Sequence, residues 1–476
     1  MKICIVGSSF ASAVLAKNIS KKGFDVNIID IGDISKVDQN KYLKINKSST
    51  INLKKNEFQF HGWGGGSNLW HGVLTTFDNP DLEKFKKLGV NFLKIYEKYQ
   101  NLSLSFLKIK NKFKNTKLIS SSSIYKKCLN NNFFKEKYFL VQKKPFQTKN
   151  IFLDLEHNNK IKLINNACAL DLFIKNNKVI FLNYFDTKKK INKKFYADIF
   201  ILCSGAIETP RILLQSKLKK FKNSYDKIGK GINDHYKGVV GQIEIKDSEH
   251  FFDLDLNGKV SSRLGFIQSK LIEGNFCIIL RKIYDDIYVK ITQRIKNFLY
   301  KKSFLNFYAL LKVLSFKGIY LLIKKLVFNI KVSKKASFEI WLETKTNDKN
   351  SVKLSSKKDR FGRIIPNVNF KFSTFEMRQI NYSQKILTKI FKKKFKIIKF
   401  KKKNFSSGAH FSNTCRIGNN VSDSVVNKNL KLHSVNNLYI CDNSVLNFTG
   451  NSNPTFSLIN LALRLSVYLR SKYKIK

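Results

Sequence analysis

The first thirty residues restrict the fold most, because they read as a buried strand, a tight turn, a helix and a second strand. Ile3–Val6 is apolar, Gly7 begins the turn, and the stretch from Ala11 to Lys21 has helical spacing. Phe24–Ile29 then forms the second strand and ends at Asp30. A buried strand that enters a helix and is followed by another buried strand predicts a parallel α/β sheet covered by helices.

The spacing within this unit indicates a nucleotide site. Asp30 follows Gly7 by 23 residues, close to the interval between a dinucleotide-binding turn and its ribose-binding acid. Ser9 and Ser12 stand where that motif usually has glycine; serine is small, but it lacks glycine's freedom at positive φ. With Asp30, the residues predicted to contact the nucleotide are Gly7, Ser8, Ser9 and Phe10.

A glycine-rich segment at residues 61–78 reads HGWGGGSNLWHGVLTTFD. Three successive glycines beside Trp63 and Trp70 indicate a backbone packed tightly against a flat or anionic group, in preference to a flexible loop. The residues that we assign to a cofactor site here are Gly65, Gly66, Ser67, Asn68, Leu69 and Trp70.

A strand ending near residue 203 leads into GAIETPRILLQS, from Gly205 to Ser216. The pattern predicts a buried strand, a glycine turn and a helix opened by Thr209, with Pro210 at its first position. Such a unit at a sheet edge can bind a cofactor, although a plain strand–helix connection has the same pattern. The residues that we assign to the cofactor site from this region are Cys168, Ser204 and Gly205.

The segment from residue 406 to 465 combines three features of a ligand-binding edge. His410 lies in a loop rich in glycine and serine, the apolar run Leu438–Cys441 ends at Asp442, and Asn453–Thr455 opens a helix. Amide groups at a helix start lack intrahelical partners and attract polar or anionic groups. A neutral imidazole and a carboxamide add a proton acceptor and a hydrogen-bond donor.

These segments, in this order, resemble the glucose-methanol-choline (GMC) flavoprotein oxidoreductases. The family's C-terminal pattern has a histidine loop of the form H-x-x-G-T-C-x-M-G, a strand ending in D-x-S, and an N-P helix start. Its matches here are His410, Thr414, Cys415, Gly418, Asp442, Ser444, Asn453 and Pro454, with Asn413 in place of glycine and Ile417 in place of methionine. GGGSNLW, GAIETP, IGKGINDH and DRFG resemble further family segments; we interpret His235 as structural or peripheral.

The resemblance implies a Rossmann-like, mostly parallel FAD-binding domain joined to an antiparallel-sheet α+β substrate domain. On this basis we assign residues 1–78, 151–237 and 405–476 to the FAD-binding domain. Residues 79–150 become a connecting or cap region, and residues 238–404 the substrate-binding domain.

The resemblance also implies FAD-dependent oxidation of an alcohol group, with a sugar or polyol-like compound as the expected substrate. His410 would accept the hydroxyl proton during hydride transfer to flavin, and Asn453 would orient the same oxygen. Asp442 would lie at the ribityl or pyrophosphate region and Asp30 at the adenosine ribose. Asn453 would also belong to the cofactor site, together with Pro454 and Thr455.

Covalent attachment of the flavin is not expected. Family members with covalent flavin have a histidine one or two residues after the Ser/Thr pair of the glycine-rich segment, whereas Leu69 precedes Trp70 here. His71 is the nearest alternative attachment point.

Other functions stay open at this point. A GMC-fold lyase with structural FAD is one, and a basic membrane- or RNA-associated protein on a flavoprotein scaffold is another. For an oxidoreductase, the electron acceptor could be a quinone, another carrier or oxygen, and we expect a dehydrogenase before an oxidase.

Composition excludes several classes of protein. Hydrophobic residues at 43% and aromatic residues at 13% predict a globular chain. The 89 basic against 33 acidic residues give a net charge of +56. Because the lysines are dispersed, codon bias is the preferred interpretation over a functional charge, and no nucleic acid partner is expected. The seven cysteines form no C-x-x-C pair, which predicts buried free thiols and no metal site.

Two apolar segments bear on localisation. Lysines interrupt residues 303–332, so no run approaches the ~20 apolar residues of a bilayer crossing. Core packing is the first interpretation of this segment, and a basic amphipathic helix on an anionic leaflet is the second. The N-terminus looks like a secretory signal, but the strand interpretation is preferred. We therefore expect a cytoplasmic protein, or a peripheral one at the inner face of the membrane.

Overall fold

The computed structural model describes residues 1–20, 23–35, 46–49, 60–109, 123–142, 145–216, 226–245, 260–266, 274–283, 319–320, 323, 335–401, 404–433 and 435–473. Within these ranges the helices are α1 (Phe10–Ile19), α2 (Asn79–Lys87), α3 (Phe92–Phe106), α4 (Ser123–Leu129), α5 (Lys149–His157), α6 (Gly205–Gln215), α7 (Thr374–Phe391) and α8 (Thr455–Lys472). The first ten strands are β1 (Lys2–Val6), β2 (Asp25–Ile29), β3 (Asn46–Ser49), β4 (Val73–Leu74), β5 (Phe134–Val141), β6 (Lys162–Ile164), β7 (Ala167–Lys175), β8 (Lys178–Asp186), β9 (Ile191–Tyr196) and β10 (Ile199–Leu202). The others are β11 (Tyr236–Glu244), β12 (Val260–Phe266), β13 (Phe276–Ile283), β14 (Lys335–Leu342), β15 (Ser351–Lys358), β16 (Ile364–Phe370), β17 (Lys396–Ile397), β18 (Phe405–Ser407) and β19 (Leu438–Ile440).

A parallel sheet holds the nucleotide-binding pattern, in the strand order β19-β10-β1-β2-β6. Its central strands are apolar on both faces, and Ile3, Ile5 and Ile201 are fully buried. Such strands need cover on both sides. α1 packs against α8, which also packs against α3. The predicted strand–helix–strand unit at the N-terminus is confirmed.

An antiparallel sheet of eight strands forms the second layer system. Its path is β17-β11-β14-β13-β12-β5-β4, and β18 pairs with β11 off that path. α7 packs against β11 and β14. It begins with a capping box, in which Ser373 and Glu376 satisfy each other's backbone amides. The mixed fold class expected from the sequence, one parallel sheet and one antiparallel sheet, is confirmed.

Two three-stranded sheets complete the described fold, with the orders β15-β16-β3 and β7-β8-β9. β3 and β4 both come from the segment assigned to the FAD-binding domain. Here β3 pairs with β16 and β4 pairs with β5 of the antiparallel sheet. The two sheet systems are therefore interleaved along the chain, and the division into domains stays a prediction.

A buried ion cluster joins α6 to the turn between β15 and β16. Glu208 accepts hydrogen bonds from Arg211 Nε at 2.9 Å and Arg363 Nη1 at 2.5 Å, and Arg363 Nε donates to Asp359 at 2.9 Å. Both arginines are almost fully buried. The two cations lower the pKa of Glu208 to about 2 against the opposing effect of burial. The two guanidinium groups thus have carboxylate partners inside the protein, as buried charges require.

The prediction of buried free thiols is confirmed for all seven cysteines. No helix within the described residues is long and apolar enough to cross a membrane. Apart from residues 319, 320 and 323, the segment 303–332 lies outside the described part of the chain.

Candidate active site

The turn between β1 and α1 forms the first wall of the site. Gly7 has a φ of +96°, and a Cβ there would lie 2.8 Å from the backbone oxygen of Cys203. Ser9 Oγ donates to that oxygen at 3.3 Å, and Ser204 Oγ donates to the backbone oxygen of Val6 at 3.1 Å. Only glycine fits position 7, whereas Ser9 has a φ of −86° and needs no glycine.

Asp30 lies at the end of β2, beside this turn, as predicted. Its Oδ2 accepts from Ser8 Oγ at 2.7 Å, and its Oδ1 accepts from the amide of Gly32 at 2.8 Å. Burial raises the pKa of Asp30, while these hydrogen bonds oppose the rise. Ser8 Oγ also accepts from the amide of Gly64 at 2.9 Å, so one hydroxyl joins the turn, the acid and the glycine-rich segment.

The glycine-rich segment lies against the same turn. Gly64 and Gly65 have φ values of +95° and +45°, and a Cβ on Gly65 would lie 3.6 Å from Ser9. A 3-10 helix runs from Gly65 to Asn68, whose Nδ2 donates to the backbone oxygen of Gly65 at 3.1 Å. A Cβ on Gly66 would meet nothing within 4 Å. Open space therefore borders the loop at Gly66.

Side chains after the glycines continue this wall. Ser67 Oγ lies 3.1 Å from Thr148 Oγ1, and Leu69 caps the 3-10 helix. The rings of Phe10 and Trp70 meet edge to face, with centroids 4.8 Å apart. Trp70 Nε1 is buried and donates to no acceptor among the described residues. The predicted nucleotide turn and glycine-rich loop thus lie together.

Asp442 follows β19 and connects it to the start of α6. Its Oδ2 accepts from the amide of Gly205 at 2.9 Å and from Thr209 Oγ1 at 2.5 Å, and its Oδ1 accepts from the amide of Ser444 at 2.8 Å. Burial raises the pKa of Asp442, with the hydrogen bonds acting in the opposite direction. Gly205 has a φ of +85°, and a Cβ there would meet nothing within 4 Å.

The expected start of α6 is corrected by the structure. The helix begins at Gly205 and not at Thr209, so Pro210 lies inside it. Proline lacks the amide hydrogen that would bond the carbonyl four residues earlier, at Ala206. Thr414 Oγ1 donates to that carbonyl at 2.8 Å. A side chain distant in sequence therefore satisfies the helix where proline cannot.

Cys168 lies on β7 near the end of β2, where the amide of Ala167 donates to the backbone oxygen of Asp30 at 2.9 Å. The thiol is buried with Phe361. Burial raises its pKa to about 12. The side chain is therefore a neutral apolar contact at this end of the site.

A pair of histidines forms the centre of the second half of the site. His410 Nδ1 lies 2.7 Å from His235 Nε2, and the ring centroids are 4.5 Å apart. The His235 ring is buried and packs on Trp341, with centroids 4.9 Å apart. His235, interpreted from the sequence as structural or peripheral, thus contacts the predicted base directly.

Asp234 holds the backbone of this pair. Its Oδ1 accepts from the amides of His235 at 2.8 Å and His410 at 3.0 Å, and its Oδ2 accepts from Ser407 Oγ. Burial raises the pKa of Asp234 to about 6, and the hydrogen bonds oppose the rise. Asp234, His235 and His410 are close enough to hold a metal ion. However, the Asp234 carboxylate already accepts hydrogen bonds from protein donors. We therefore interpret His235 and His410 as a hydrogen-bonded pair and not as metal ligands.

Asn413 adopts the conformation that its glycine counterpart would allow. It has a φ of +71°, and its Nδ2 donates to the backbone oxygen of Gly231 at 2.6 Å. Asparagine tolerates the left-handed region because its short side chain bonds locally. The substitution therefore leaves the His410 loop with a defined turn.

Asn453 lies at the start of α8, where Pro454 is the N-cap and Thr455 the first helical residue. It is 6% exposed. Its Oδ1 is buried and accepts no hydrogen bond from the described residues. A buried carboxamide oxygen needs a hydrogen-bond donor, so Asn453 Oδ1 is available to accept a hydrogen bond from a bound molecule.

The antiparallel sheet connects this helix start to the histidine pair. The backbone oxygen of Asn451 lies 4.0 Å from Cys277 Sγ on β13. Cys277 is paired in register with Trp341 on β14, and Trp341 packs on His235. Asn451, two residues before Asn453, therefore lies at β13, next to the strand whose Trp341 packs on His235.

The residues present fit a dinucleotide cofactor. The positive φ of Gly7 and Gly205, the open space at Gly66 and Gly205, and the unsatisfied Trp70 Nε1 and Asn453 Oδ1 all belong to segments predicted to line it. Small residues let a backbone approach a pyrophosphate, and unsatisfied buried groups need a partner.

Sequence patterns singled out His410 and Asn453 but missed Asp234 and His235 as neighbours of His410. The only signal was the Asp-His pair in IGKGINDH. Its meaning depends on the pairing of β11 with β18, which brings Tyr236 opposite Ser407.

Comparisons with known proteins agree with this geometry. The family model described as GMC oxidoreductase matches residues 346–462, a segment that contains both His410 and Asn453. The chain is 41% identical over 66 residues to 2-methyl-1,2-propanediol dehydrogenase of Mycolicibacterium austroafricanum, which covers 14% of this chain and 12% of the relative. It is 28% identical over 117 residues to paromamine 6'-oxidase of Streptomyces fradiae, covering 24% and 22%. The chain thus aligns with only a small part of the length of these relatives.

Similarity of fold extends over the whole chain. Pyridoxine 4-oxidase from Mesorbium loti superposes with a TM-score of 0.68 at 13% identity, covering 99% of both chains. An R554A variant of formate oxidase from Aspergillus oryzae RIB40, studied for its FAD modification, gives a TM-score of 0.61 at 13% identity, covering 99% and 98%. The matched C-terminal segment and this shared fold agree with the resemblance read from the sequence. Residues 346–462 thus match the GMC oxidoreductase family, and the chain as a whole is similar in fold to these two oxidases.

Proposed function

We propose that the protein binds FAD non-covalently and oxidises the alcohol group of a small polar substrate, with His410 as the base. The observation that carries the proposal is the C-terminal family match, which includes both His410 and Asn453. The hydrogen bond between His410 and His235 supports it, because that bond fixes the imidazole for a directed proton transfer. Bound flavin would supply the hydride acceptor.

The hydrogen bond between the histidines sets the protonation that a base needs. His410 Nδ1 faces His235 Nε2, so a substrate hydroxyl would meet His410 Nε2. For Nε2 to accept a proton, Nδ1 of His410 must carry the hydrogen and donate it to His235. Asp234 fixes the backbone of both residues and keeps the rings in register. Asn453 would donate from Nδ2 to the substrate oxygen and orient it.

The cofactor would lie along the parallel sheet. Asp30 would meet the adenosine ribose, the amides of Ser8 and Ser9 the pyrophosphate, and the loop after Gly64 the flavin ring. The remaining residues that we propose to contact FAD are Gly7, Phe10, Gly65, Gly66, Ser67, Asn68, Leu69, Trp70, Cys168, Ser204, Gly205, Asp442, Asn453, Pro454 and Thr455. Residues 1–78, 151–237 and 405–476 would form this cofactor domain.

Substrate class and electron acceptor are finer parts of the proposal. The two curated relatives are named 2-methyl-1,2-propanediol dehydrogenase and paromamine 6'-oxidase, which supports a hydroxylated, sugar- or polyol-like substrate. A dehydrogenase should reduce a quinone or another artificial carrier faster than oxygen. Anaerobic bleaching of the flavin by a panel of alcohols identifies the substrate, and oxygen consumption then separates the two classes.

The test of the base is His410→Ala. Positioned general-base catalysis is typically worth about 10²–10⁴-fold, so flavin reduction by the best alcohol should slow on that scale. The visible spectrum should still show bound FAD. Stopped-flow reduction without oxygen provides the measurement.

His157→Ala is the matched control, because His157 is exposed at the end of α5. It should reduce its flavin at the wild-type rate. Near-normal flavin reduction in His410→Ala would refute the assignment of the base. Failure of every alcohol to bleach the wild-type flavin would refute alcohol oxidation itself.

A further inference from the structure

Lys137 is a buried cation that the proposed reaction does not use. Its side chain on β5 is 5% exposed. The ammonium donates to Asp78 Oδ2 at 2.9 Å, to Ser452 Oγ at 2.7 Å and to Asn451 Oδ1. A lysine has three N–H donors, and each has an acceptor here.

The three acceptors come from separate parts of the chain. Asp78 is the N-cap of α2, and it also accepts from Asn275 Nδ2 at 3.1 Å. Asn451 and Ser452 belong to the loop that leads into α8. Desolvating an ammonium costs several kcal/mol unless a carboxylate and further acceptors compensate it. The lysine is thus held by the same contacts that hold the loop.

The loop has little other freedom. Gly450 has a φ of +53°, and a Cβ there would lie 2.1 Å from Asp81 Oδ2 on α2. Ser452 Oγ also donates to the backbone oxygen of Thr76 at 3.1 Å. The loop therefore lies against α2 on one side and the lysine on the other, and Asn453 follows directly.

We propose that Lys137 is the positioning residue for Asn453, acting through its bonds to Asn451 and Ser452. Asn453 presents a buried carboxamide whose Oδ1 has no donor among the described residues, so its orientation depends on the backbone that precedes it. The inference rests on the proposed role of Asn453 in alcohol oxidation. It extends the site across the antiparallel sheet to a strand that contributes no other proposed site residue.

The test compares Lys137→Met with wild-type protein in anaerobic flavin reduction. Methionine keeps much of the side-chain length and loses the three donors, so the loop should shift. A displacement of about 1 Å can cost about 10²-fold in rate, and we expect a loss of about 10–100-fold with FAD still bound. Lys86→Met is the matched control, because Lys86 is an exposed lysine on α2, the helix that Asp78 caps. It should keep the wild-type rate.

A double-mutant cycle with Asn453→Ala separates positioning from general destabilisation. If Lys137 acts through Asn453, then Lys137→Met should slow the Asn453→Ala enzyme by less than about 3-fold, since coupled residues are not additive. A full loss in that background would overturn the proposal. So would a wild-type rate in Lys137→Met.

Asp78→Asn provides a second route if Lys137→Met does not fold, because it removes the anion and keeps the shape. Its rate loss should likewise disappear in the Asn453→Ala background, and an undiminished loss there would overturn the proposal. If Asn453→Ala alone reduces flavin normally, the role of Asn453 in the proposed function fails. If Asn453→Ala reduces flavin slowly and the effect of Lys137→Met adds to it in full, only the positioning role of Lys137 fails.

Discussion

His61 lies next to the ion cluster of Glu208, Arg211, Asp359 and Arg363. Burial lowers its pKa to about 4; Glu208 opposes this change, and the two arginines add to it. Between pH 6.5 and about 4 the unfolded chain therefore binds a proton that the folded protein does not. Stability must fall as pH falls through this window.

The expected effect is a loss of unfolding free energy of about 2 kcal/mol between pH 7 and pH 5 from this residue alone. His61→Gln should flatten that part of the pH profile, whatever its effect at pH 7. Urea unfolding at a series of pH values measures it. A profile with the same slope in the variant as in the wild type would show that His61 is not the titrating group.

The positions of single residues could be predicted where a local sequence motif defines them. Gly7 and Asp30 are defined by a spacing along 23 residues, and both lie where that spacing placed them. Lys137 carried no signal, since one lysine among many in a basic chain looks like a solvated surface residue. Its burial depends on Asp78 and Asn451, and the latter is 314 positions away.

At the scale of elements, Glu208 on α6 compensates two buried guanidinium groups. Glu208→Gln removes the charge and leaves Arg211 without its carboxylate, while Arg363 keeps Asp359. Breaking a buried ion pair from one side typically costs roughly 3–5 kcal/mol. We expect a loss of unfolding free energy in that range by urea titration. Glu83→Gln, at an exposed position of α2, should change it by less than about 0.5 kcal/mol; an equally small change in Glu208→Gln would contradict the proposed role of the cluster.

The helices and strands themselves were largely readable. Strands of the antiparallel sheet follow from apolar runs, as at Phe276–Ile283 and Lys335–Leu342. The start of α6 was predicted wrongly, because local sequence rules place proline in the first turn of a helix. The carbonyl that Pro210 leaves without its usual amide is satisfied by Thr414, a contact that no local pattern contains.

At the scale of the whole molecule, the proposed cofactor would tie together segments distant in the chain. A ligand that binds only the folded state stabilises it by about 2.7 kcal/mol at a hundred times its dissociation constant. At that concentration, we expect added FAD to raise the free energy of unfolding by the same amount. After the protein is unfolded, the flavin should pass through a filter that retains the polypeptide. Riboflavin, which lacks the pyrophosphate, is the control and should stabilise far less. Flavin that stays with the unfolded chain would contradict non-covalent binding.

Overall architecture followed from the resemblance more than from composition. The net charge of +56 predicted none of the helices or strands. The parallel and antiparallel sheets were predicted from the order in which the family motifs occur along the chain. A discontinuous FAD-binding domain was expected, but the pairing of β3 with β16 and of β4 with β5 was not. Such pairings depend on tertiary contacts that the pattern of one strand does not specify.

The position of β19 has a consequence for biosynthesis. This strand lies at the edge of the parallel sheet and pairs with β10, although 239 residues separate their starting points, Ile199 and Leu438 (438 − 199). A ribosome must synthesise the chain through Leu438 before β10 gains its outer neighbour, and through Asp442 before the amide of Gly205 gains its acceptor. Nascent chains halted earlier would expose an apolar strand edge, so we expect them to need chaperones and to aggregate.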